Sequence, residues 1–67
     1  YGYGGAVLIE QSDASLFLKN ANGVAMDIAS YINMYMSGNT VGTGKEGANI
    51  YCNGGTINGT VYTQAWE

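Results

Sequence analysis

Cys52 is the one side chain here that could act as a thiol nucleophile, and it stands alone. A thiol attacks as its thiolate, which needs a neighbouring base or cation to hold it deprotonated. The chain offers no histidine and no arginine for that purpose. One cysteine cannot close an intrachain disulfide, and without histidine it cannot complete a structural zinc site of nitrogen and sulfur ligands. Two readings of Cys52 stay open: a buried thiol that behaves as a small hydrophobe, or a disulfide to another chain.

The other motifs fall short of chemistry for stated reasons. Gly2-Tyr3-Gly4-Gly5 would be a dinucleotide loop only with a third glycine where Val7 stands, and it precedes a strand instead of following one. Gly42-Thr43-Gly44-Lys45-Glu46 has Asn39 in place of the first glycine of a phosphate loop. Its Glu46 replaces the magnesium-binding hydroxyl and would repel a phosphate. Glu10, Asp13, Asp27, Glu46 and Glu67 have no spacing that pairs two carboxylates on one element, so they read as solubilising charges. Asn58-Gly59-Thr60 is an N-glycosylation pattern, but about one such triplet is expected by chance from this content of asparagine, serine and threonine. Asn58 is therefore a glycosylation candidate, with the first position of a tight Asn-Gly turn the favoured reading. No catalytic residue, cofactor-binding residue or metal ligand is expected, and the reading is non-enzymatic with no cofactor.

Size and composition narrow the class further. The 67 residues make a single small domain, carry a net charge of -3, and are only 10% charged. A basic nucleic-acid footprint is absent, and no apolar run approaches the roughly 18 residues of a membrane-spanning helix. A hydrophobic content of 46% argues for a folded core. Domains of about 60 residues bury only about 60% of their unfolded surface and usually need a disulfide, a metal or another chain. With the first two excluded within one chain, association with another polypeptide is expected, as a homo- or hetero-oligomer. The sequence starts at Tyr1, without methionine or a signal-peptide pattern, and reads as a processed mature fragment or a trimmed piece of a longer chain.

The elements that must position these residues follow from periodicity. Ala6–Gln11 reads as a buried strand, and Ser15–Lys19 as either a second strand or the start of a helix. From Asn22 to Ser37 the apolar residues Val24, Ile28, Tyr31, Ile32, Tyr35 and Met36 keep helical spacing. Asn22 is the expected N-cap and Gly38 the expected stop. Residues 39–47 read as a loop, Ala48–Cys52 as a strand, Asn53–Gly55 as a turn with Asn58-Gly59 competing, and Thr60–Trp66 as the last strand. The predicted fold is α+β: a small antiparallel β-sheet of three or four strands with one amphipathic helix packed on one face. Val24, Ile28, Ile32 and Tyr35 would then meet Leu8, Ile50 and Val61 across the layer. Met26 and Met34 lie off the main helix face and, with the tyrosines Tyr1 and Tyr3 of the glycine-rich start, are candidate partner contacts.

The strand–helix–strand–strand order, carried by Val24–Met36, Ile50-Tyr51-Cys52-Asn53-Gly54-Gly55 and Thr60–Ala65, resembles the small α/β-sandwich subunits of fungal and yeast killer toxins and related secreted effectors. Those families are commonly rich in cysteine and this chain has one, so no functional residue carries across. The resemblance implies a secreted interaction module acting on a target cell, with a membrane surface left open as its target. The alternative from composition is a structural subunit of an extracellular filament or multi-chain assembly, in which Tyr1–Gly5 and the following strand complete a neighbour's sheet.

Overall fold

The computed structural model describes residues 2–67. Its elements are β1 (Val7–Ile9), β2 (Ser15–Leu16), α1 (Ile28–Tyr35), β3 (Ile50–Ile57) and β4 (Thr60–Trp66). β3 is the centre of the sheet. β1 and β2 lie end to end along one of its edges, both parallel to it, with Val7 opposite Ile50 and Leu16 opposite Ile57. β4 runs antiparallel along the other edge, with Ile57 opposite Thr60 and Ile50 opposite Trp66.

This overturns the antiparallel sheet expected from the sequence. Only β3 and β4 are joined by a tight turn, and a tight turn reverses the chain. The connection from β1 and β2 to β3 runs through α1 and a long loop, which returns the chain to the same end of the sheet, so these strands pair parallel. The turn itself is Asn58-Gly59, with φ of 53° and 82°, the left-handed pair that Asn-Gly favours. Asn53-Gly54-Gly55 is not a turn but an irregularity inside β3, where the pairing with β4 shifts between Asn53 and Thr56.

The helix is shorter than its periodicity suggests. Asp27, not Asn22, is the N-cap, its carboxylate accepting from the Ser30 amide at 3.1 Å. Residues 20–24 form a turn instead, because the Asn20 side-chain oxygen accepts from the amides of Asn22 and Val24 and competes with helical pairing. Of Ser15–Lys19, the first two residues are strand, and Lys19 bridges to Ala25.

The core consists of Ile9, Leu18, Ile28, Ile50, Cys52 and Ile57, with Val7, Leu16, Tyr31, Ile32, Met36, Tyr62 and Trp66 packed against it. The expected Ile28–Ile50 side of the layer is there. Leu8, Val61, Val24 and Tyr35 are not part of it, since all four are exposed. β1 and β4 are each one residue out of the expected phase: Val7 and Ile9 face inward in β1, and Tyr62 and Trp66 in β4. The molecule measures 36 × 27 × 13 Å, so it is a thin slab.

Candidate functional site

Cys52 lies in the middle of the sheet, 1% exposed, with its thiol donating to the Gly55 carbonyl at 3.4 Å. Its alternation with Ile50 turns it toward the core, and the irregularity at Gly54-Gly55 brings the carbonyl back to it. The thiol is free and enclosed. An interchain disulfide at this position requires the strand to open first.

Asn58 is committed to the fold on both ends of its amide. Its side-chain oxygen accepts from the Leu18 amide at 2.9 Å, and its Nδ2 donates to the Met26 carbonyl at 2.7 Å. The β3–β4 turn thereby clasps the chain on either side of the 20–24 turn. The nitrogen a glycan would occupy is the donor in that clasp. Met26 is half-buried beside it, its carbonyl the acceptor, whereas Met34 is 65% exposed.

Two hollows flank the sheet. The first, of about 130 Å³, is lined by Glu46, the β3 residues Tyr51, Cys52 and Asn53, and the β4 residues Thr63, Gln64 and Ala65. Beside it the Tyr3 ring packs on Tyr51 at 4.7 Å, and the Lys45 ammonium sits 4.9 Å from the Tyr3 ring centre. Tyr3 is thus docked on its own chain's sheet. The docking follows from backbone pairing, because the amides of Gly4 and Gly5 donate to the carbonyls of Glu46 and Gly47. Tyr1, the remaining candidate contact, falls outside the described residues.

The second hollow is broader, about 300 Å³, and lies between the 19–21 segment and α1. Tyr31 and Tyr35, one helical turn apart with rings 4.9 Å apart, form one wall, and Lys19, Asn20 and Ala21 the other. The sequence placed Tyr31 and Tyr35 on the helix's inward face. Ile28 is buried in the core and Tyr31, Ile32 and Met36 pack against it, whereas Tyr35 is 52% exposed. Phe17 and Val24 on the preceding segment are exposed as well. The exposure of Tyr35 was not legible, since a tyrosine at helical spacing reads the same whether or not the rest of the chain covers it.

No cluster of three or more potential metal ligands forms among the described residues, and no described helix is long and apolar enough to cross a membrane. Hydrogen bonds from the Ser30 side chain and amide hold the Asp27 carboxyl below its ordinary value, as its place at a helix cap requires.

No family model, curated protein or solved structure matches this chain. Nothing in those comparisons bears on the killer-toxin resemblance.

Proposed function

We propose that the chain is a non-enzymatic interaction module that works as one subunit of a larger polypeptide assembly. One observation carries this reading: six apolar side chains are buried among the described residues, while seven large ones, Tyr3, Leu8, Phe17, Val24, Met34, Tyr35 and Val61, stay exposed. Scattered exposed apolar residues are ordinary. Here Phe17, Val24, Met34 and Tyr35 all belong to the segment 17–35, and Tyr35 with Tyr31 walls the hollow against Lys19, Asn20 and Ala21. That concentration supports a contact surface for a second chain on the helix side of the slab. Placing the assembly outside the cell, and at a target cell, rests on the resemblance of the strand–helix–strand–strand order alone. The filament alternative needs the N-terminal segment to leave Glu46–Asn49 of its own chain, where Gly4, Gly5 and Val7 already donate to the carbonyls of Glu46, Gly47 and Asn49.

Mild peroxide oxidation followed by peptide mass spectrometry tests the reading at Met34. In the isolated chain Met34, at 65% exposure, oxidises readily. In material taken from its native source the same methionine is expected to be protected by the partner chain. Equal oxidation in both samples, or an acylated Cys52 intermediate in the native material, overturns the proposal.

A further inference from the structure

We propose that the outer edge of β4 pairs antiparallel with β4 of a second copy of this chain, closing a two-fold dimer. The proposal rests on the reading of the chain as an interaction module and adds which surface self-associates. Every described backbone hydrogen bond of β4 runs toward β3; the one outside the ladder, from the Asn49 amide to the Trp66 carbonyl, lies on that side too. No side chain among the described residues bonds to any residue of 60–66. The outward amides and carbonyls of a seven-residue strand therefore have no partner among the described residues.

The two edges of the sheet differ in how they are protected. Natural edge strands are guarded by shortness, charge, proline or bulges. The β1–β2 edge is guarded: its strands are three and two residues long, and the loop between them carries Glu10 and Asp13. β4 has no such device. Thr60-Val61-Tyr62-Thr63-Gln64-Ala65-Trp66 contains no charge and no proline, and the irregularity of the β3–β4 pair falls in β3. The next residue, Glu67, is turned back to the amides of Gly47 and Ala48.

The strand is also compatible with itself. With the two-fold axis at Thr63, Thr63 opposes Thr63 of the second copy, Val61 opposes Ala65, Tyr62 opposes Gln64 and Thr60 opposes Trp66. No pair sets like charges together, and a β-branched or aromatic residue stands in every pair. The 64% exposed Val61 gains a neighbour on the open face. Because the contact is isologous it consumes both open edges at once, leaving only the guarded β1–β2 edges outside. The assembly stops at two chains and does not extend into a filament.

Light scattering of the full chain at micromolar concentration is expected to give twice 7.0 kDa. Thr63 is exposed, so Thr63→Lys and Thr63→Glu leave the fold intact, as circular dichroism checks, while each sets like charges at the axis. Each variant alone is expected to dimerise about fivefold more weakly, and mixing the two restores the dimer. In oxidising buffer Thr63→Cys crosslinks to itself, since directly opposed residues have Cβ atoms about 5 Å apart. Val61→Cys does not, since in this register its symmetry mate is about 13 Å away along the strand. A folded monomer in the wild type overturns the edge pairing. So does an assembly unaffected by both charge variants, which would leave the interaction-module reading standing on another surface; Met34 protection tests that reading independently.

Discussion

Gly55 sits where the loop between β1 and β2 crosses the middle of β3. A Cβ there would overlap the Ile9 side chain and press on the carbonyls of Gln11 and Ala14 at 3.0 Å. The requirement is close approach and not a left-handed backbone. Gly55→Ala should therefore cost about 1–3 kcal/mol, the usual range for overpacking a tight site. Gly42→Ala, whose new methyl would meet nothing nearer than 3.7 Å, should be near neutral. Urea midpoints of the two variants check this, and equal midpoints would remove the crossing as a constraint. The sequence named Gly54 and Gly55 as punctuation, which they are, but took the pair for a turn. A glycine pair looks the same whether the chain reverses there or another segment passes over it. Asn58-Gly59 was legible as the competing turn because its chemistry is specific to positive φ at both positions. What Asn58 does with its side chain was not legible, because its partners, Leu18 and Met26, are far away in sequence.

At the scale of elements, the helix periodicity located the packed residues Ile28, Tyr31, Ile32 and Met36 but wrongly added Val24 and Tyr35 and overran the helix at its start. Val24 keeps the spacing of Ile28 and Ile32, yet Asn20 pulls the amides of Asn22 and Val24 into a side-chain-capped turn, so the helix waits for Asp27. That cap has a pH signature. Its carboxyl is held below the ordinary value by Ser30, so the folded state binds its proton less readily than the unfolded chain does. The stabilisation is thus fully present above the unfolded carboxylate value, near about 3.9, and is lost as pH falls from there through the folded value. Helical ellipticity of the wild type should fall across that acid window more than that of Asp27→Asn, which keeps an acceptor but does not titrate. Parallel acid profiles for the two would show that the cap contributes no pH dependence. Strand direction was the element property furthest from reach. Apolar alternation locates a strand without stating which end its neighbour starts from, and only the long connection through α1 argued for parallel pairing.

Across the whole molecule, chain segments distant in sequence converge on Asn49, a buried polar residue that no pattern singled out. Its amide donates to the Trp66 carbonyl and its carbonyl accepts from Val7, which ties β4 and β1 to the entrance of β3. Its side chain joins two more segments: Nδ2 donates to the Glu67 carbonyl at 2.7 Å, and Oδ1 accepts from Asn39 at 2.9 Å. Nearly every buried polar group must find a partner, and here one 7% exposed amide meets that demand for the loop and the C-terminal segment together. Asn49→Ala removes both side-chain bonds and leaves the Asn39 amide without its acceptor, at a cost of about 2 kcal/mol. That is a large share of the stability of a domain this size. Asn49→Asp separates the two bonds, since a carboxylate still accepts from Asn39 but cannot donate to Glu67 and instead faces its carbonyl oxygen. Urea unfolding should place Asn49→Ala well below the wild type. Hydrogen exchange in Asn49→Asp should show the Trp66 end of β4 loosened, with the Asn58-Gly59 end unchanged. If exchange rises uniformly along β4, the strand is held as one unit by its ladder with β3, and Asn49 is not the fastening of its C-terminal end.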